Sequence, residues 1–213
     1  MNSNVMQDVV LLERSQYSAG IEALAQAFNH DPIMQYFYPV KEPSRLNSLR
    51  WLSQLTIEYC SPYNQIYTTG QNLKGCAVWL PPGAFPMQML RLLQLGFYQF
   101  PLKVQWQKIG AFLSIFNRME HYHQQDMAAP HWYLVMLGVA PGFQGQGVGG
   151  TLIQPVLQQA DRDGVPCYLE TSTERGVNFY QKHGFEVVRS EQLSANAPSF
   201  WTMKREPHAI QAV

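Results

Sequence analysis

The chain has 213 residues, which is enough for one domain or for one domain carrying a large insertion. Hydrophobic residues make up 46% and charged residues only 14%, so the chain can bury a sizeable core and its composition argues against disorder. Fifteen basic and fifteen acidic side chains cancel, which argues against recognition by bulk charge and so against nucleic acid as a partner.

Cys60, Cys76 and Cys167 are far apart and in no metal spacing. They read as reduced core thiols of a cytoplasmic protein. The N-terminus lacks the basic start and long apolar run of a signal peptide. No window holds 18 uninterrupted apolar residues, so neither a transmembrane helix nor a membrane partner is expected.

In chain order, residues 9–13 are a short apolar strand candidate. Ser15 is placed to cap a helix on which Ile21, Leu24, Ala25 and Phe28 recur at helical spacing. Asp31-Pro32 ends it, and Phe37-Tyr38-Pro39 forms an aromatic-rich connection. A second helix is predicted from Ser44, with Leu46, Leu49, Leu52, Leu55 and Tyr59 as its stripe and Pro62 as its stop. Residues 65–69 and 75–80 read as strands joined through Gly70-Gln71-Asn72. Residues 85–126 carry two apolar stripes separated by Pro101. One is Met87, Leu90, Leu93 and Phe97; the other is Trp106, Ile109, Leu113 and Phe116. They read as two inserted helices that pack on the sheet, cover a substrate or form a dimer surface.

Residues 131–139 are the next strand, and 147–161 a helix whose inward face is Leu152, Val156, Leu157 and Ala160, with a kink expected at Pro155. Then come a strand at 167–171, a short helix at 174–183 capped by Gly184, and strands at 185–189 and 200–204. Residues 132–171 make a βαβ crossover, so its two strands should run parallel. The whole reads as a mixed α/β sheet in a single domain over 1–207, followed by a tail at 208–213.

Between the crossover strand and its helix lies Gln144-Gly145-Gln146-Gly147-Val148-Gly149-Gly150. Strand, glycine loop and helix start together make a cradle for phosphate. A nucleotide-hydrolase loop is ruled out because no Gly-Lys-Ser/Thr follows. A dinucleotide-binding reading has support. Gly145, Gly147 and Gly150 match G-x-G-x-x-G, and Glu170 lies 20 residues further on, where a ribose-binding acid would sit. Against it, only 63 residues follow Gly150, too few for a doubly wound sheet.

A third reading accounts for more of the chain. Gln144-x-x-Gly147-x-Gly149 resembles the pyrophosphate loop of the GNAT superfamily of acetyl-CoA-dependent N-acyltransferases. Phe179-Tyr180-Gln181-Lys182-His183-Gly184-Phe185 is similar to that superfamily's FYxxxGF segment. The resemblance implies a GNAT-type fold: a mixed central sheet with splayed parallel strands, a two-helix insertion before the central strand, and an acetyl-CoA-binding core over 131–190. It also implies a direct acetyl transfer from acetyl-CoA to a primary amine of a small molecule, without a metal.

In that picture Leu137, Gly138 and Val139 supply backbone groups to pantetheine, and a β-bulge in their strand aims an N–H at the thioester carbonyl. Gln144, Gly145, Gln146, Gly147, Val148, Gly149, Gly150 and Thr151 hold the pyrophosphate. Thr171 and Ser172 line the cofactor at the end of the next strand. Tyr180 contacts the cofactor and is the general acid. Glu170 is the leading base, with a purely structural carboxylate as the alternative. The superfamily's Asn before the FY pair is here Gly176, which leaves Asn178, Ser172 or Thr173 to fill that contact. Phe37, Tyr38 and Trp79 are the expected aromatic walls of the amine pocket.

His131 reads as an exposed strand-edge residue at the far end from the chemistry, and His121-x-His123 as solvated helix histidines, with no cysteine or acidic cluster to complete a metal site. Homodimers are common in the superfamily, and the apolar insertion offers an interface. The rival functions are a CoA-binding sensor with altered catalysis and an acyltransferase with another acyl-CoA or acceptor.

Overall fold

The computed structural model describes residues 8–70, 72–192 and 197–208. Its elements run β1 (Val9–Leu11), α1 (Tyr17–Phe28), α2 (Pro32–Phe37), α3 (Glu42–Cys60), β2 (Ile66–Thr69), β3 (Gly75–Leu80), α4 (Met89–Gln94), α5 (Phe100–Lys103), α6 (Ile109–Asp126), β4 (Trp132–Val139), α7 (Val148–Asp163), β5 (Cys167–Thr171), α8 (Glu174–Gln181), β6 (Glu186–Gln192) and β7 (Ser199–Arg205). The strands form one sheet in the order β1-β2-β3-β4-β5-β7-β6. β4 and β5 are parallel, as the crossover requires, and the other neighbouring pairs are antiparallel. A dinucleotide-binding sheet is built from repeated parallel crossovers, so this topology rules that reading out. Gln71 and the tail beyond His208 lie outside the described residues.

Two local expectations change. Ser15 does not cap α1; its hydroxyl turns to the Glu13 carboxylate, and residues 14–16 form a 3-10 turn. A reciprocal Glu13–Gln16 pair, not a serine, satisfies the free amides there. Asp31-Pro32 does more than end α1. The Asp31 carboxylate accepts the N–H groups of Ile33 and Met34 at 2.9 and 3.0 Å, and Pro32 occupies the first turn, so the pair opens α2.

α7 packs on one face of the sheet with all four predicted inward residues buried, joined by Val148 and Ile153. Each leucine, isoleucine or valine among them contributes about 1.5–3 kcal/mol on burial. The other face is covered by α1, α3 and the insertion. The insertion is three helical pieces rather than two, and its two stripes are split: Leu90, Leu93, Trp106, Leu113 and Phe116 are exposed, while Met87, Phe97 and Ile109 pack on the core. Leu90 and Trp106 are 70% and 75% exposed, while Leu92 and Ile115 are buried. The chain breaks at Gly96, whose φ of 104° is left-handed. The turn there seats Phe97 on Trp51 of α3 and Phe100 on Phe112 of α6. Phe97, beyond the break, therefore does not continue the exposed face of Leu90 and Leu93. All three cysteines are fully buried, which pushes each thiol up to about 12.

Candidate active site

The site is built around the seam between β4 and β5. Trp132, Tyr133 and Leu134 pair with Cys167, Tyr168 and Leu169, and no later residue of either strand is paired across the seam. On its other side β4 continues along β3, but with a slip: Trp79 lies opposite Leu134 and Val78 opposite Met136. Val135 is therefore an extra, unpaired residue, a β-bulge. The side chains record the same slip. Leu134 and Leu137, three apart, both pack into the core under α7, whereas an unbroken strand alternates faces every residue.

The bulge also decides which backbone groups face the opening. The Ala140 amide donates to Lys74 of the β3 side at 2.8 Å. Alternation then turns Gly138 towards β3 as well, and its carbonyl lies against Gly75. Leu137 and Val139 are left facing the opening. The Val139 carbonyl there accepts the Gln144 side-chain amide at 3.0 Å. The expectation for Leu137 and Val139 fits this geometry. That for Gly138 needs correction: its peptide belongs to the β3 ladder, and its bare Cα makes room for Leu24.

Past β4 the chain turns through Gly145 and Gly147, at φ 75° and 81°, and Gly147 caps α7. Such backbone costs an L-residue about 1–2 kcal/mol. The first helical bond runs from the Thr151 amide to the Gly147 carbonyl, at 3.1 Å. The amides of Val148, Gly149 and Gly150 thus have no helical acceptor and point out of the N-terminus. A pyrophosphate suits that end of the helix. The Thr151 hydroxyl is held to the Gly147 carbonyl, and the Gln146 side chain to the Gly142 carbonyl.

α8 buries Tyr180 in the same core as the residues under α7. Its ring packs edge-on to Phe185, and burial raises its hydroxyl above the usual phenol range, so it is protonated at neutral pH. Asn178 is exposed, two residues from Tyr180 and so nearly opposite it around the helix. Gly176 sits where a Cβ would stand 2.1 Å from the Thr171 hydroxyl. The position therefore has no room for the superfamily's Asn while Thr171 stays in place. Ser172, next in the chain, donates to the Asp31 carboxylate. Burial raises Asp31, and the bond from Ser172 opposes that shift.

Glu170 comes from the same strand as Leu169 but faces the opposite side. There it meets the Tyr133 hydroxyl and His123 of α6, whose Nδ1 is 3.6 Å from Glu170 Oε1. Burial raises the Glu170 carboxyl to about 7, opposed by the nearby Tyr133 hydroxyl. Acid and base candidates thus lie on opposite faces of the sheet.

Residues 88–185 match the model of the acetyltransferase (GNAT) family. An uncharacterized N-acetyltransferase of Schizosaccharomyces pombe is 25% identical over 187 residues, which covers 86% of this chain and 76% of that one. This stretch of the chain is similar to GNAT acetyltransferases. Among solved structures, one from Corynebacterium glutamicum described as histone acetyltransferase HPA2 and related acetyltransferase superposes with a TM-score of 0.67. It is 20% identical and covers 97% of this chain and 99% of its own. Drosophila melanogaster polyamine N acetyltransferase gives a TM-score of 0.60 at 15% identity, covering 93% and 100%. These likenesses establish the GNAT fold, and the family domain with its sequence relative supports an N-acetyltransferase.

Several expected residues sit elsewhere than predicted. Phe37, Tyr38 and Trp79 do not form one pocket. Trp79 fills the core under α7, and Phe37 and Tyr38 fill a separate core with the insertion, all fully buried. Their size and apolarity serve packing. His123 is not solvated but 1% exposed, and His131 is buried beside it rather than exposed at a distant edge. His123 is stacked between Phe85 and Tyr168, at 3.7 and 4.1 Å between ring centroids. Asp126, one turn on, accepts from Arg189, Tyr168 and Thr202. Sequence reasoning missed this group, and Asp31, because each partner lies far along the chain. The one available signal was that His123 and Asp126 share a helix face at i, i+3.

Proposed function

We propose that this protein transfers an acetyl group from acetyl-CoA directly to the primary amine of a small molecule. The observation that carries the reading is the parted seam after Leu134 and Leu169, with the Val135 bulge beside it and the backbone of Leu137 and Val139 facing the opening. That edge accepts an extended pantetheine as an added strand, and it leads directly to the unpaired amides at the start of α7.

In the proposed reaction the neutral amine attacks the thioester carbon. The C–N bond forms and the C–S bond breaks. Glu170 takes the proton lost by the nitrogen, and Tyr180 supplies one to the departing thiolate, whose conjugate acid has a pKa of about 8.5 by analogy with free thiols. An amide of the bulged strand meets the charge on the thioester oxygen; one such donor is worth about 3–4 kcal/mol elsewhere.

Residues 132–150, 164–166, 169–172 and 179–187 are also similar to puromycin N-acetyltransferase, which places puromycin among the acceptors worth testing. The Drosophila structure, described as forming N-acetylagmatine, adds agmatine. A cytoplasmic location, supported by three unpaired thiols, and a homodimer through the exposed side of the insertion belong to the same proposal. Thiol release from acetyl-CoA against a panel of amines tests the reaction. Protection of the fold by CoA with no turnover on any amine would favour a sensor instead.

A further inference from the structure

Three nitrogen-to-acceptor gaps run in series beneath Glu170. His131 Nδ1 is 2.8 Å from the Ala129 carbonyl, His131 Nε2 is 2.7 Å from His123 Nε2, and His123 Nδ1 is 3.6 Å from Glu170 Oε1. A carbonyl only accepts, so His131 donates from Nδ1. Neutral His131 then has a lone pair at Nε2. At 2.7 Å two lone pairs would repel strongly, so His123 must donate from its own Nε2. That leaves Nδ1 of His123 bare and turned towards Glu170. Of the three gaps, the 3.6 Å one is longer than a formed hydrogen bond and is the one that tolerates loss of its proton. Stacking between Phe85 and Tyr168 holds the His123 ring in this orientation.

We propose that the Ala129 carbonyl, His131 and His123 form a tautomer lock whose open end favours the protonated form of Glu170 and so sets its strength as a base. An ionised Glu170 faces a lone pair; a protonated one faces an acceptor. Burial keeps both imidazoles neutral, and His123 is lowered to about 3 by burial and by its neighbour His131. The other titratable groups around Glu170 are Tyr133 of β4, whose nearby hydroxyl lowers its carboxyl, Asp126 of α6, which is paired with Arg189 of β6, and Tyr168 of β5, whose hydroxyl goes to Asp126. β7 places the neutral Thr202 opposite Glu170. His123 and His131 are positioning residues, since neither needs to touch the substrate.

The inference rests on the reading of Glu170 as the base only for its kinetic meaning; the lock itself is tested without substrate. Histidine-ring 15N NMR of the full chain, from mildly acidic to mildly alkaline pH, should find His123 protonated at Nε2 and His131 at Nδ1 throughout. In His131→Phe the lock is lost. His123 is then free to donate from Nδ1, and the Glu170 carboxyl, followed by 13C NMR, should titrate about one pH unit lower. A proton on Nδ1 of wild-type His123 overturns the proposal, as does an unchanged Glu170 midpoint in the folded variant. If His131→Phe does not fold, the wild-type ring spectrum decides alone. Absence of acetyl transfer with every amine counts against the functional reading, and the ring spectrum still decides the lock.

Discussion

Leu134 of β4 and Leu169 of β5 are the last residues paired across the parallel seam between these strands. Past them the β4 edge is free, and its backbone alternates between the β3 ladder and the opening. Proline at 137 removes an amide that faces the opening but takes no bond from β3, whereas proline at 136 breaks the ladder. Leu137→Pro is expected to stay folded and to lose about tenfold in CoA affinity by calorimetry, the worth of one hydrogen bond. Met136→Pro should lower the thermal midpoint far more. Equal loss of stability in the two would contradict the assigned alternation.

Gly147 has φ 81° at the cap of α7. Gly147→Ala should cost about 1–2 kcal/mol of stability by urea unfolding. It should also weaken CoA binding more than binding of a pantetheine fragment that lacks the pyrophosphate, because the loop amides are displaced together. Equal weakening of both ligands would place the pyrophosphate elsewhere.

The Tyr180 ring is core and its hydroxyl is the candidate acid. Tyr180→Phe keeps the ring, so stability should change little while kcat falls by about 10²- to 10⁴-fold, the usual range for a lost proton donor. KM for acetyl-CoA should stay near wild type. Unchanged turnover and pH profile would remove Tyr180 from the mechanism.

Glu170→Gln replaces a carboxyl that titrates near 7 with an isosteric amide able to donate to His123 Nδ1. Folding raises this pKa, so the protonated form is the one favoured by the folded state. Its stabilising contribution is full below the unfolded value of 4.5 and is lost as pH rises through about 7. The variant escapes that loss. It should be inactive yet more stable than wild type above pH 7, by something on the order of 2–3 kcal/mol. The difference should shrink towards zero at acidic pH. Wild-type kcat/KM should rise with pH through the same region. A stability gap independent of pH would show that Glu170 is not the titrating group.

Gly176→Asn tests why the superfamily's residue is missing. With Thr171 in place, the new Cβ collides with its hydroxyl, and a loss of about 1–3 kcal/mol is expected. Adding Thr171→Ala should recover most of it. If the single substitution is neutral by thermal unfolding, α8 is free to shift and Thr171 is not what excludes the larger residue.

The βαβ unit, the glycine loop and α8 were legible in the sequence because their signals are local. β5 was placed residue for residue, and the inward face of α7 was read correctly, since each depends on spacing within one element. The insertion was only partly legible: Gly96 turns the chain, so Phe97 packs on the core while Leu90 and Leu93 of the same stripe stay exposed. The surroundings of Glu170 were not legible at all. His123 comes to it from a helix that precedes β4, with a strand, a glycine loop and another helix between them in the chain. Nothing near either residue marks the other. The bulge, in contrast, was anticipated only through family likeness; no residue type around Val135 announces it.

The complete burial of Cys60, Cys76 and Cys167 has a practical side. Thiols held near 12 in a closed core stay protonated and out of reach of disulfide reagents at neutral pH. The folded enzyme should therefore be colourless in a thiol-reagent assay, so each equivalent detected during turnover comes from released CoA. The same silence makes the protein its own unfolding reporter. A signal without cofactor measures the fraction of molecules whose core has opened.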